Sequence, residues 1–349
     1  MGRDAWVVPA PCAALLVAVA LTFLVGCEGS SPTGADGSGR EPGSVTLLEG
    51  STRFRTLAVS WTERDPLTGR VPDHRFAFIA FDSQRLSGRT HAFYEAPVKS
   101  RCDDAECFPA TGDGWSEPDL IIEDLDWSPA GAQVVFQARE RNDSAVRLDL
   151  KAARGGERDE VVSGRMPSFS RDGSKVVYVT QGRDGLSWFN STGTGGGDWL
   201  QGYAGVEYPR FSPGDSLVAF SSTQGGNGRR IHVWDTRHPE YFADVVTDPD
   251  SSPSGATQDG TDDNYPTWSP GGRYIAYKTT LRTGTFRDAI FVTVPGAEPE
   301  PNRELLSFGP GQELRFLRWH PDGELLLFIL DGDVYLYVLP EQYRDRPAP

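Results

Sequence analysis

Trp268-Ser-Pro-Gly-Gly-Arg-Tyr-Ile-Ala-Tyr277 is one of five copies of a ten-residue unit. The others occupy 127–136, 169–178, 211–220 and 319–328. Each copy opens on an aromatic residue (Trp127, Phe169, Phe211, Trp268, Trp319) and closes on a second one. The seventh position is always aliphatic: Val134, Val176, Val218, Ile275 and Leu326. An internal repeat decides architecture before any other feature does.

The middle of the unit reads as a tight turn. Ser269-Pro270-Gly271-Gly272 and His320-Pro321-Asp322-Gly323 suit a type I turn. Proline presets φ at the second position, serine or its substitute caps the first, and glycine closes the fourth. The turn joins a strand ending on the aromatic to a strand apolar at positions seven, eight and nine. Apolar residues on both faces imply burial on both faces, as in stacked sheets.

A third strand follows in most units, as in Arg230-Ile-His-Val-Trp234 and Asp333-Val-Tyr-Leu-Tyr-Val338. Val161-Val162, Val245-Val246 and Leu305-Leu306 fit a fourth. Four strands per repeat of about forty residues describe a propeller blade. A degenerate copy comes first: Trp61 opens it, residues 63–73 replace the tight turn, and residues 74–81 form the next strand. The expected fold is therefore all-β, a six-bladed β-propeller over 45–340. The last blade has three strands of its own, and Val45-Thr-Leu-Leu48 supplies the fourth and closes the ring, which removes exposed edges.

Ser-Pro-Asp-Gly-type turns between an aromatic-ended strand and an aliphatic–aromatic strand resemble the PD40 (WD40-like) repeat of TolB-like six-bladed propellers. They also resemble the propeller of prolyl-oligopeptidase-type enzymes. The resemblance covers roughly 45–340 and implies a fold more than a function, because propellers host many functions. For the TolB-like group it implies work in the bacterial envelope through protein contacts. TolB carries an additional N-terminal domain. Here a linker leads straight to the propeller, so no Tol-system partner is carried over.

Residues 1–26 read as a lipoprotein signal peptide. Arg3 precedes an uncharged run whose core, Ala13-Ala-Leu-Leu-Val-Ala-Val-Ala-Leu21, has the length of a signal h-region. The run ends Leu24-Val-Gly-Cys27, which resembles the bacterial lipobox and makes Cys27 the lipidation site. The alternative is a retained membrane span, which Pro9 and Pro11 shorten. Two or more acyl chains anchor stably. Residues 27–44 form the lipidated cysteine and a flexible polar linker, and 341–349 a C-terminal tail. The expected location is the cell envelope, on a membrane through the N-terminal lipid.

The chain has 349 residues, with 39 glycines and 26 prolines, enough for many turns. Its net charge of −15 argues against nucleic acid as a ligand. Of four cysteines, Cys12 lies in the signal and Cys27 in the lipobox. Cys102 and Cys107 remain, and an exported chain with two spare cysteines points to one disulfide. A closed metal site would need two further ligands, and no histidine lies in that loop. The stretch Ser191-Thr-Gly-Thr-Gly-Gly-Gly-Asp198 is glycine-rich without the Lys-Ser/Thr of a phosphate loop, and reads as a loop between strands. The acidic insertion after the fourth blade offers Asp248, Asp250, Asp259, Asp262 and Asp263, hard oxygen donors of the kind calcium uses. Their spacing is not that of an EF-hand, and a solvated acidic loop is the plainer reading.

No Gly-x-Ser-x-Gly elbow occurs, and too little chain follows the last blade for a hydrolase domain. The five histidines are scattered. No cofactor is expected. Two functions follow. One is a lipid-anchored, non-catalytic module that binds an envelope protein or peptide. The other is an envelope enzyme or sensor taking a carbohydrate or other small ligand in the channel. The first predicts an exposed apolar patch or peptide-sized groove; the second predicts acidic, basic or metal-binding groups converging at the channel mouth. The repeat aromatics Trp61, Trp127, Phe169, Phe211, Trp268 and Trp319 are expected to pack blades, not to bind.

Overall fold

The computed structural model describes 42–45, the backbone of 46–49, 54–61, 75–82, 90–97 and 115–116, and most of 117–345. Within 117–345 the exceptions are 118, 154–155, 225–227, 242, 247–261, 282–285 and 297–302. The signal segment, the linker to 41, the insertion at 63–73 and the Cys102/Cys107 loop lie outside the described residues.

The described strands form six antiparallel four-stranded sheets. The second sheet shows how sequence becomes blade. Its strands are β6 (Leu120–Trp127), β7 (Gln133–Glu140), β8 (Arg147–Ala152) and β9 (Arg158–Ser163), paired in chain order. Trp127 pairs with Val134 across the turn. Val134, Val135 and Phe136 are all buried, so both faces of β7 are covered. Val176, Val218, Ile275 and Leu326 are equally buried in their own sheets. The chain is an all-β β-propeller, with cores between successive sheets.

The turns follow the chemistry read from sequence. Gly131, Gly173, Gly272 and Gly323 each donate their N–H to the carbonyl of the first turn residue. All four have positive φ, between 70° and 82°, where a side chain would be strained. In the fourth sheet Asp215 takes this place at φ 56°. Aspartate tolerates that region better than most residues, and its carboxylate accepts the N–H groups of Arg171 and Asp172 on the neighbouring turn. The serine hydroxyl accepts an N–H from the strand beyond the turn: Gln133, Lys175, Leu217 and Tyr274 are the donors. In the last copy His320 substitutes, its Nδ1 accepting the Asp322 N–H at 3.2 Å.

Side chains tie sheet to sheet. Asp126 accepts the Phe169 N–H at 2.8 Å, and Thr267 accepts the Trp319 N–H at 2.9 Å. β1 (Val45–Glu49) pairs antiparallel with β24 (Asp333–Val338), as expected for the N-terminal strand. β2 (Phe54–Trp61) lies against β6 on one side and against β22 (Leu314–Trp319) on the other.

Three expectations need correction. The glycine-rich stretch is not wholly a loop, because Gly196–Gln201 forms β13, the fourth strand of its sheet. Gly196 sits at φ 143°, where a Cβ would fall 2.2 Å from the Trp188 carbonyl oxygen. Glycine therefore serves a close strand approach here. The acidic insertion is corrected in the same way at its end, where Asp262 and Asp263 stand on a strand, Asp262–Trp268. The C-terminal tail packs on the fold as far as 345. A 3₁₀ turn, Glu341–Tyr343, follows β24. Tyr274 donates its hydroxyl to the Gln342 carbonyl, and Asp345 accepts from Ser269 and the Arg273 N–H.

Candidate functional site

Five sheets converge on a cavity of about 140 Å³. Each contributes the end of its inner strand and its turn. Those strands are β6, β10 (Arg165–Phe169), β14 (Glu207–Phe211), β18 (Asp262–Trp268) and β22.

Every one of these strands is bulged just before the cavity. The register shifts between Ile122 and Asp124, Arg165 and Ser168, Glu207 and Arg210, Asn264 and Thr267, and Arg315 and Arg318. Four bulges place a large residue at positive φ: Met166 at 51°, Tyr208 at 52°, Tyr265 at 53° and Phe316 at 47°. Bulky residues rarely adopt this backbone, and the same outlier in four successive sheets marks a selected geometry. The four pack together. The Tyr208 and Tyr265 rings lie 4.1 Å apart with their hydroxyls bonded at 3.1 Å, and Phe316 lies 5.3 Å from Tyr265. The Tyr208 N–H points at Met166 Sδ.

After the bulge each strand offers one residue and then the repeat aromatic. The first set is Asp126, Ser168, Arg210, Thr267 and Arg318, and all five line the cavity. Arg210 and Arg318 are only 6 % and 5 % exposed. Arg210 Nη1 donates to the Pro209 carbonyl at 2.7 Å, and Arg318 Nη1 to the Leu317 carbonyl at 3.2 Å. Among the described residues, Nε and Nη2 of both have no hydrogen-bond partner. A buried donor without a partner costs on the order of 1–3 kcal/mol, more when charged. Burial, with the Arg210 charge alongside, lowers Arg318 to about 9.

Asp124 completes the cluster. It is 3 % exposed; Oδ1 accepts the Leu125 N–H at 2.7 Å, and Oδ2 has no partner among the described residues. Burial raises its pKa to about 6, against the pull of Arg210 and Arg318. Glu207 is a useful contrast. It too is buried, but Arg183 Nη1 at 2.6 Å and Arg229 Nη1 at 3.2 Å hold its two oxygens.

The repeat aromatics sit where the inner strands meet. Trp127 and Trp319 belong to one hydrophobic cluster, Phe169 and Trp268 to two others, and Phe211 packs against a fourth. All five also line the cavity wall. Trp61 lies on β2 with its side chain outside the described residues. Cys27, Cys102 and Cys107 lie outside them, as do Asp248, Asp250 and Asp259. Asp262 and Asp263 are not in a loop: both stand on β18, and Asp263 accepts the Thr279 hydroxyl at 2.7 Å. Among the described residues no three metal-ligating side chains cluster.

Sequence reading passed over Arg210, Arg318, Asp124 and Asp126. The signal was present in the repeat register. The residue before each repeat aromatic is polar, and in successive copies it reads Asp, Ser, Arg, Thr and Arg.

Comparison with known proteins places the fold. No family profile matches the chain. TolB from Acinetobacter baumannii superposes with a TM-score of 0.50 at 16% identity, over 82% of this chain and 65% of that one. A TolB-type protein from Agrobacterium tumefaciens gives 0.52 at 13% identity, over 85% and 97%. At such identities the likeness is one of fold: a β-propeller resembling TolB. A sequence relative, the uncharacterized peptidase YuxL of Bacillus subtilis, is 30% identical over 132 residues. That match spans 36% of this chain and 18% of YuxL.

Proposed function

We propose that this chain is a lipid-anchored propeller of the bacterial envelope that binds a protein or peptide at the cavity where its inner strands converge, without catalysing a reaction on it. The observation that carries the reading is the pair of buried arginines among the residues lining the cavity, Arg210 and Arg318, whose Nε and Nη2 have no partner among the described residues. Buried groups this costly persist where something else satisfies them. Two of the cavity serines are committed to the turns: Ser170 Oγ accepts the Lys175 N–H and donates to Asp172, and Ser269 accepts the Tyr274 N–H and donates to Asp345. No His or Cys lies among the described lining residues, and the one carboxylate there, Asp126, accepts the Phe169 N–H. The peptidase activity in the name of YuxL is not carried over, because the sequence has no Gly-x-Ser-x-Gly elbow.

Six blades closing in a ring are part of the same proposal. It is supported by β1 completing the sheet of β24 and by β2 lying between β6 and β22. Lipidation at Cys27 and a Cys102–Cys107 bridge rest on the sequence argument above.

The test is cross-linking of the full-length protein in its native envelope. A stoichiometric protein partner, lost when the cavity-face turns are exchanged, is the expected result. Metabolic labelling with an alkyne fatty acid should mark the wild type and not Cys27→Ala.

The convergence of charged groups favours a second reading, in which the cavity takes a small anionic ligand as an envelope sensor would. Native mass spectrometry separates the two. A retained small molecule with no protein partner would select the second.

A further inference from the structure

We infer that Trp188 and Trp199, on the third sheet, dock a proline-rich segment of a partner protein in its extended polyproline II form. This rests on the reading of the chain as a peptide-binding module and gives that module a site beside the cavity.

The tryptophans whose side chains are described divide by what holds the indole N–H. Trp127, Trp234 and Trp268 donate theirs to the carbonyls of Gly131, Tyr241 and Arg210. That of Trp319 is buried without a partner among the described residues. Those of Trp188 and Trp199 are neither bonded to a described residue nor buried, and both rings are half-buried. Indole N–H groups inside a fold find an acceptor. A pair left at the surface has its acceptors still to come. Trp188 belongs to none of the hydrophobic clusters, so core packing does not account for it. Trp199 stacks on Trp188 at 5.6 Å and meets Phe211, a cavity residue, edge-on at 5.9 Å.

Strand geometry builds the pair. Trp188 stands on β12 (Gly185–Asn190), opposite Gly197 on β13. Trp199 has no opposite residue. The pairing passes from Leu186–Leu200 to Ser187–Asp198, so Trp199 is the extra residue of a bulge, a device that re-aims a side chain. Gly197 leaves the pair uncovered. A Cβ there would stand 3.6 Å from Trp188 Nε1, an ordinary contact, and its φ is not positive. The backbone therefore does not demand glycine at 197 as it does at Gly196. What the missing side chain does is keep the Trp188 N–H within reach.

The polar groups select the ligand. The two indoles and Lys175, whose Nζ lies 5.6 Å from the Trp188 ring centre, donate and do not accept. Asp198, the acid of β13, accepts the Ser187 hydroxyl at 2.8 Å, and Ser187 alternates with Trp188 to the other face of its strand. The surface thus suits apolar bulk that carries acceptors and few donors. Proline has an apolar ring, a carbonyl and no N–H. In polyproline II the carbonyls make no internal hydrogen bonds. The fixed φ also lowers the cost of ordering the segment on an aromatic surface. A glycan hydroxyl would bring a donor with every acceptor.

The experiment is calorimetric titration of the full-length chain with acetyl-hexaproline amide, acetyl-hexaalanine amide and cellohexaose. Hexaproline should bind about tenfold tighter than hexaalanine or the sugar. Trp188→Ala and Gly197→Val should each weaken hexaproline by about tenfold, with cooperative thermal unfolding showing that the fold survives. Trp188→Phe keeps a ring and loses the donor, and should weaken binding by roughly threefold. Equal binding of the two peptides, tighter binding of the sugar, no binding of hexaproline, or full binding by Trp188→Ala or Gly197→Val overturns the inference. No hexaproline binding beside a cross-linked envelope partner would remove this surface and leave the module standing. Hexaproline binding with no such partner would do the reverse.

Discussion

Arg318 and Trp319 are neighbours on one strand, and they obey different rules. Trp319 stands in a position that is aromatic in every copy of the repeat, and Arg318 in one that reads Asp, Ser, Arg, Thr and Arg round the sheets. Both line the same cavity. The uniform position joins the hydrophobic clusters between sheets, where any blade needs the same thing from it. The variable position carries buried charge without full satisfaction, which no blade needs. In a repeat protein the shared residues state the fold, and the residues that break the pattern at one fixed register state what the molecule is for.

The sharpest way to break that comparison is to truncate a uniform position that is not among the lining residues. Leu326 is fully buried near the start of β23 (Leu325–Leu330), opposite Trp319. Leu326→Ala should cost about 3–4 kcal/mol in urea unfolding. A cost below about 1 kcal/mol would mean that the repeat positions do not set stability.

Two buried titrating groups sharpen it further, because their pH effects run in opposite directions. His232 is 2 % exposed, stacks on Phe220, and has no hydrogen-bond partner on either ring nitrogen among the described residues. Burial, then the Arg230 charge, lowers it to about 4. Its contribution is therefore complete above pH 6.5 and lost as pH falls through 4. Asp124, raised to about 6, contributes fully below its ordinary value and loses that as pH rises through 6. Each effect amounts to at most roughly 3 kcal/mol, and together they nearly cancel between pH 4 and 6. Asp124→Asn should thus lose stability on acidification, while His232→Phe should gain it. Melting curves at pH 4.5 and 7 read both signs, and parallel behaviour of the two variants would refute the assignments.

A smaller effect with the opposite sign to Leu326→Ala is expected at the variable position. Arg318→Met removes a buried cation with two unpartnered donors. It should leave stability unchanged or raise it by about 1–2 kcal/mol, whereas removing one partner of a satisfied pair would lower it. A clear loss would show that Arg318 holds the fold together.

Much of this was legible in sequence. The turn residues, the aromatic at each strand end and the double-faced apolar strand are local requirements, so Trp268 to Tyr277 announce them directly. The fourth strand at Gly196–Gln201 was not legible, because its reason is the approach of another strand's carbonyl to Gly196. The packing of Asp345 against the Ser269 turn has the same character, a contact between residues far apart in the chain. The cavity cluster was half legible. The register placed Arg210 and Arg318 in equivalent positions, but only the folded arrangement of sheets brings the fourth and sixth to one cavity, and only the bulges at Tyr208 and Phe316 set the strands there.

The central claim is that Arg318 is kept for binding and not for the fold. Cross-linking of full-length wild type and Arg318→Met in the native envelope, with melting curves of both, tests it most directly. The account predicts a stoichiometric protein partner that wild type holds and the variant loses, at an unchanged or higher melting temperature. A partner held equally by both proteins would contradict it.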